Sequence, residues 1–119
     1  MAYAQDYPNP VQVFTFTIAA SATTSTSPAQ LGGLRPVGLL FAEAITGGSV
    51  TFTASHDGSN YYAARAIGGS LLAVTATSIG YHGFNADYQA ALAGVYDLYV
   101  ARAASSGSAQ TIKLIAQPL

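Results

Sequence analysis

The feature that most constrains this chain is an alternation of apolar and polar residues with a period of two. The alternation is clearest over residues 49–55, where Val50, Phe52 and Ala54 share one face and threonine or serine occupies the other. Because successive side chains of a β-strand point to opposite faces, the pattern places one face in a core. No sustained helical period occurs anywhere in the chain, so the sequence predicts an all-β protein.

Further strands are predicted on both sides of this segment, separated by glycine-rich turns. They cover residues 11–20, 37–43, 61–66, 71–77, 95–102 and 110–116. The Asp57-Gly58 pair is suited to a tight turn between residues 49–55 and 61–66. About seven short strands indicate a single antiparallel β-sandwich over residues 11–119, either jelly-roll or immunoglobulin-like. The spacing does not distinguish between these two ways of connecting the strands.

Two stretches between the strands are less regular. Residues 21–28 are rich in hydroxyl side chains and are predicted to form a loop or a weak edge strand. Residues 78–94 show no clear alternation. Within them, residues 85–94 can hold one short helical turn that Gly94 ends at its C-terminal cap.

Residues 1–10 are predicted to form an extended N-terminal arm. Pro8 and Pro10 each restrict the preceding residue to extended conformations. The arm also carries Tyr3 and Tyr7, although a free disordered tail rarely contains large aromatic side chains. We therefore expect Tyr3, Tyr7 and Pro8 to contact a partner, with a frayed terminus as the alternative.

Charged residues are scarce, and this scarcity favours self-association. Four Lys or Arg and five Asp or Glu make up 8% of the chain, against about 25% in an average soluble domain. A surface of small, hydroxyl-bearing and tyrosine side chains is less costly to desolvate than a surface of ions. The alternative is a monomer coated with hydroxyl groups. With a net charge of −1, the chain has no basic field for nucleic acid.

Several classes of protein are disfavoured by what the sequence lacks. The chain has no cysteine, which excludes disulfides, thiolate zinc sites and a cysteine nucleophile. No run approaches the ~20 apolar residues of a membrane-spanning helix, so no membrane association is predicted. No basic region followed by an apolar one opens the chain, so we expect synthesis in the host cytoplasm.

The few titratable residues do not form a recognisable catalytic motif. His56 and Asp57 are adjacent in a turn and are expected to point apart. His82 and Asp87 could form an acid–base or metal-binding pair, although solvated loop residues are the simpler interpretation. We therefore predict a protein that is not an enzyme, with no catalytic residue, no metal and no cofactor. A hydrolase that depends on His82 and Asp87 is the competing hypothesis.

The tyrosines suggest a second kind of binding, because sandwich lectins stack sugar rings on aromatic faces. The candidates are Tyr61, Tyr62, Tyr81, Tyr88, Tyr96 and Tyr99. Adjacent residues of a strand face opposite sides, so Tyr61 and Tyr62 cannot both contact one ligand. Tyr96 shares the parity of Leu98 and is predicted to be in the core. Tyr99 takes the other parity, so Tyr61 and Tyr99 are the predicted partner contacts within the sandwich.

The four cations are expected to be solvated, with one buried Arg–carboxylate contact between subunits as the alternative. They are Arg35, Arg65, Arg102 and Lys113. Asp97, predicted to face outward with Tyr99, is a candidate to balance Arg102 or Lys113 on neighbouring strands. Such a pair contributes less than ~1 kcal/mol.

Residues 50–114 resemble small virion proteins encoded in the structural modules of tailed phages and prophages. The resemblance lies in residues 50–55 followed by Asp57-Gly58 and Tyr61-Tyr62, in residues 92–100, in a Ser/Gly loop, and in residues 111–114. It implies a head-associated role, as a capsid decoration (cement) protein or a head fibre. The family has no catalytic residues to transfer.

This resemblance implies a subunit that stabilises a phage shell by bridging neighbouring capsid subunits at the virion surface. Its expected partners are the major capsid protein and further copies of itself, with a homotrimer matching the local symmetry of a shell. The alternative is a glycan-binding β-sandwich of a tail or fibre. The chain departs from the family in its few charges and its tyrosine-bearing arm, which leaves open whether capsid, tail or a like subunit is its neighbour.

Overall fold

The computed structural model describes residues 11–66 and 68–118, which form two antiparallel β-sheets. The first sheet contains, in chain order, β1 (Gln12–Ile18), β3 (Leu34–Phe41), β7 (Gly80–Gly83) and β9 (Gln110–Pro118). Its spatial order is β1-β9-β3-β7, so the C-terminal strand lies in the middle of the sheet. The predicted arm, residues 1–10 with Tyr3, Tyr7 and Pro8, lies outside the described residues.

The second sheet is built around one central strand. It contains β2 (Ala29–Gln30), β4 (Ser49–Ser55), β5 (Tyr62–Ala63), β6 (Ala73–Thr75) and β8 (Asp97–Arg102). Strand β8 lies between β2 and β4, while β5 and β6 pair with different halves of the other edge of β4. A short helix, α1 (Ala86–Leu92), connects β7 to β8 across the two sheets.

The inner faces of the two sheets share one hydrophobic core. Val50, Phe52 and Ala54 of β4 are buried, as their alternation predicts, and Leu98 and Val100 are their buried neighbours on β8. The first sheet contributes Phe16, Ile18, Leu39, Phe41, Ile112 and Leu114. The prediction of an all-β sandwich is therefore confirmed.

The predicted hairpin and helical turn are present, whereas two short strands were not expected. Strand β7 lies in a stretch without alternation, and its four residues become a strand because they pair with residues 38–41 of β3. Strand β2 is held in the same way by β8. Helix α1 begins after Asn85, whose side chain accepts from the Tyr88 amide. Gly94, with φ of +79°, follows its C-terminal cap as predicted.

The prediction that Tyr96 belongs to the core is wrong. Strand β8 begins at Asp97, so the alternation does not extend back to Tyr96, and its side chain is 48% exposed. Its ring lies beside Gly58: a Cβ added there would be 3.1 Å from Tyr96 Cε2. Asp97 does share the outer face of the sheet, opposite Ser55. It is nevertheless only 6% exposed, because the Tyr61 side chain and the β4–β5 loop lie against it.

The expectation that all four cations are solvated fails at Arg102, which is 2% exposed. Arg102 shares the inner parity of Leu98 and Val100, at the opposite end of β8 from Asp97, so the suggested pair with Asp97 does not form. Its guanidinium instead donates to the carbonyls of Ala19, Ala22 and Ser108 and to the side-chain oxygen of Gln110. Gln110 in turn donates to Glu43.

Over the described ranges, no helix has both the length and the apolar character needed to cross a membrane.

Candidate functional site

The structure gathers three tyrosines and one carboxylate on the outer face of the second sheet. We call Tyr61, Tyr96 and Tyr99, together with Asp97 beneath them, the tyrosine patch. Tyr99 and Asp97 point outward from β8, while Tyr61 arrives from the loop between β4 and β5. The patch therefore depends on how residues 56–61 fold back over the sheet.

This loop is organised by the side chains of Ser55 and Asp57. Ser55 Oγ donates to Asp57 Oδ1 over 3.0 Å and accepts from the Gly58 amide over 2.9 Å. Asp57 Oδ1 also accepts from the amides of Ser59 and Asn60, each over 2.9 Å. Gly58 has a φ of +79°, a conformation that L side chains rarely adopt. The Asp-Gly pair thus fixes the path of the loop toward Tyr61.

These hydrogen bonds hold the pKa of Asp57 well below its usual range. The backbone amides of Asn60 and Ser59 contribute most, followed by the side chains of Asn60 and Ser55. Each donor stabilises the ionised carboxylate relative to the neutral acid.

We expect Asp57→Asn to remove an acid-sensitive contribution to stability. A carboxylate whose folded pKa is depressed stabilises the fold above its unfolded pKa, and this stabilisation is lost as the pH falls through the folded pKa. The free energy of unfolding of the wild type should therefore decline below about pH 5 more steeply than that of the variant. Urea unfolding measured from neutral to acidic pH tests this. Parallel curves for the two proteins would contradict the role of Asp57.

Within the patch, Tyr61 is held by Asp97 and packs against Tyr99. The Tyr61 hydroxyl donates to Asp97 Oδ2 over 3.1 Å and lies 3.3 Å from the Gly58 carbonyl oxygen. The rings of Tyr61 and Tyr99 meet edge to face, with centroids 5.5 Å apart. Desolvation, and then the hydrogen bond to Asp97, raise the pKa of Tyr61 above its ordinary value. The hydroxyl is therefore a neutral, anchored donor at physiological pH.

Asp97 has one oxygen without a donor. Oδ2 accepts from Tyr61, whereas Oδ1 is buried and has no hydrogen-bond partner among the described residues. Among the described residues, no Lys or Arg side chain forms a hydrogen bond with Asp97 or Asp57. A buried carboxylate oxygen is normally satisfied, so this atom marks a place where a further donor is favoured.

The other three tyrosines of the described residues do not join the patch. Tyr62 lies on the opposite parity of β5 from Tyr61 and is 71% exposed. Tyr81 belongs to the first sheet, where its hydroxyl donates to the Val37 carbonyl over 3.1 Å. The Tyr88 hydroxyl accepts from the Ala73 amide and donates to the Ala73 carbonyl, which connects α1 to β6.

The suggested pair of His82 and Asp87 is not formed in the described residues. His82 packs against Phe41, with ring centroids 4.9 Å apart, and its Nε2 lies 3.1 Å from the Ser78 carbonyl oxygen. Asp87 is exposed in the first turn of α1. His82, Phe84, Asn85 and Tyr88 line an open groove of about 390 Å³, which the sequence did not predict. Residues 11–66 and 68–118 contain no group of three potential metal ligands.

A second exposed feature is apolar and lies on the opposite side of the sandwich. We call Val13, Leu40, Tyr81 and Ile115 the outer apolar face, because their side chains share the outer surface of the first sheet. Val13 pairs with Ile115, and Leu40 pairs with Tyr81. Sequence alternation indicated the strands but not that these four residues become neighbours, because the order β1-β9-β3-β7 is a tertiary property.

Comparisons with known proteins identify the fold. No protein-family model matches the sequence, and no curated protein matches it. Among solved structures, the chain is similar to the SPBc2 prophage-derived protein YomS, with 15% sequence identity and a TM-score of 0.51. The similarity covers 92% of this chain and 96% of that protein. This sandwich is therefore shared, over nearly its whole length, with a protein encoded in a prophage.

Proposed function

We propose that the protein is a non-enzymatic virion structural protein, a capsid decoration subunit that stabilises a phage shell by bridging neighbouring capsid subunits. The fold it shares with a prophage-derived protein supports a phage setting. Its scarcity of ions supports a surface that other subunits cover. The major capsid protein and further copies of this chain, as a trimer, are the partners in this proposal.

The outer apolar face is the observation that carries the proposal. Val13 and Tyr81 are each 54% exposed and Leu40 is 37% exposed, although all three lie on regular strands. Lys113, which pairs with Thr15 on one side and Leu40 on the other, is the charge at the centre of this surface. Depletion of charge with enrichment of apolar and aromatic groups is typical of the centre of a protein interface.

The position of β1 adds a second argument. Among the described strands, β1 pairs only with β9 and so forms one edge of the first sheet. The Thr17 carbonyl accepts from the Thr26 amide over 2.9 Å, on the side of β1 away from β9. The backbone N–H and C=O groups of every second residue of a strand point to the same side. Those of Val13 and Thr15 therefore point away from β9, as the Thr17 carbonyl does. The exposed edge of β1 borders the outer apolar face, so one partner can contact both.

Shell binding tests this proposal with two variants. Val13→Asp combined with Leu40→Asp should weaken binding to empty shells by at least roughly tenfold, because two carboxylates must then be desolvated at the contact. A chain lacking residues 1–10 should lose binding while keeping its fold. Light scattering, alone and with empty shells of the encoding phage, measures self-association and binding together.

Leu71→Asp is the matched control. Leu71 is 43% exposed but precedes β6 on the second sheet, so its substitution should leave shell binding unchanged. The proposal would be refuted if light scattering gave the wild-type chain the mass of a single subunit at high concentration and showed no binding to empty shells. Equal loss from Leu71→Asp would refute the assignment to the outer apolar face.

A further inference from the structure

We infer that the tyrosine patch is a binding site for a neutral saccharide. The patch lies on the sheet opposite the outer apolar face, so both surfaces can be occupied at once. The inference does not rest on the proposed shell-binding role. Three observations support it: exposed rings, a buried acceptor without a donor, and a local charge that selects against anions.

The first observation is that Tyr61 and Tyr96 offer exposed rings for stacking, and that the ring of Tyr61 is fixed. Tyr96 is 48% exposed and Tyr61 is 36% exposed. Tyr61 is held by its hydrogen bond to Asp97 and by its edge-to-face contact with Tyr99, while the ring of Tyr96 rests beside Gly58. A tyrosine already held in one orientation loses little side-chain entropy when a ligand packs on it. The carbon–hydrogen face of a pyranose ring is a flat apolar partner for such a surface.

The second observation is that only one of the two Asp97 carboxylate oxygens accepts a hydrogen bond. One oxygen is occupied by Tyr61, and the other is buried without a donor in the described residues. Saccharide hydroxyls are donors, and because Oδ1 lies beneath the surface such a hydroxyl reaches it only where the covering side chains move aside. The hydroxyls of Tyr96 and Tyr99 add polar groups, because neither makes a hydrogen bond within the described part of the chain. A polyol matches this set of acceptors and apolar rings.

The third observation is the charge around the patch. Asp97 and Asp57 both act on Tyr61 as negative charges, and both carboxylates raise its pKa. No Lys or Arg described in the structure hydrogen-bonds either of them. Phosphorylated, sulfated and acidic sugars would therefore be repelled. A single exposed ring beside a carboxylate also attracts an ammonium group, so amines and lysine-rich peptides are the competing ligands that the experiment below separates. Among sugars, neutral saccharides are the class that the local charge favours.

The experiment uses the full chain and a panel of neutral hexose and N-acetylhexosamine oligosaccharides, first on an array and then by titration calorimetry or ligand-observed NMR. Tyr96→Ala removes an exposed ring that makes no side-chain hydrogen bond in the described residues, so the fold should persist, as thermal unfolding would show. We expect its affinity for the bound saccharide to fall roughly tenfold. Asp97→Asn should also weaken binding.

Tyr62→Ala is the control, since Tyr62 neighbours the patch in sequence and is 71% exposed on the other side of β5. It should bind the saccharide as the wild type does. The inference is overturned if no neutral saccharide binds, if only amines or lysine-rich peptides bind, or if Tyr62→Ala weakens binding as much as Tyr96→Ala. Tyr96→Ala should still bind empty shells, which separates failure of this inference from failure of the decoration role.

Discussion

Replacing Arg102 with methionine is expected to lower the free energy of unfolding by about 3–5 kcal/mol. The guanidinium of Arg102 supplies hydrogen bonds to four acceptors, of which the Ala19 carbonyl and Gln110 Oε1 also accept from the amides of Ala22 and Thr46. Methionine fills a similar volume but leaves the carbonyls of Ala19, Ala22 and Ser108 without this donor. Each unsatisfied buried acceptor costs about 1–3 kcal/mol before relaxation and water entry reduce the sum.

Urea denaturation measures this effect, and Arg65→Met is the matched control. Arg65 is exposed and donates one hydrogen bond, to the Gly69 carbonyl, so its substitution should change stability by no more than about 0.5 kcal/mol. Similar midpoints for Arg102→Met and the wild type would show that Arg102 does not anchor the loops around it.

Replacing Phe52 with alanine is expected to cost about 3–5 kcal/mol of unfolding free energy. Phe52 is 1% exposed in the middle of β4, and its ring meets that of Phe84 edge to face with centroids 5.8 Å apart. Phe84 directly follows β7 of the first sheet, so the contact joins the two layers. Truncation removes buried apolar area and leaves a cavity that a close-packed core fills only in part.

The control for Phe52→Ala is Tyr62→Ala, which removes a comparable ring from an exposed site on the same sheet. Its free energy of unfolding should stay within about 0.5 kcal/mol of the wild type. If the two alanine variants unfold at the same urea concentration, Phe52 does not lie at the centre of a shared core.

The elements that could be predicted are those in which local pattern and tertiary environment agree. The alternation over residues 49–55 coincides with β4, and Asp57-Gly58 forms the turn that brings residues 62–63 back beside it. The helix after Asn85 was predictable because its capping residue and Gly94 act on their own neighbours. Strands β2 and β7 were not, since four residues or fewer carry too little pattern and depend on their pairing partners.

Two of the three tyrosines of the candidate site could be predicted from the sequence, whereas the third and the burial of Asp97 could not. Parity along β8 placed Tyr99 on the outer face, and Tyr61 was also selected from the sequence; the structure brings these two together. Parity failed for Tyr96, because the strand begins one residue later. It also gave no sign that Asp97 is covered, since the covering groups come from a loop about 40 residues earlier in the chain.

By itself, the sequence determined that the chain forms strands, where several of them run and which face of each is apolar, because these properties follow from a residue and its near neighbours. The tertiary structure alone decided that Arg102 is buried among carbonyls, that Val13 and Leu40 share one exposed surface, and that Tyr61 bonds Asp97 while packing against Tyr99. Those outcomes depend on which strands become neighbours. That choice is made by the packing of the whole sandwich, so no short stretch of sequence contains it.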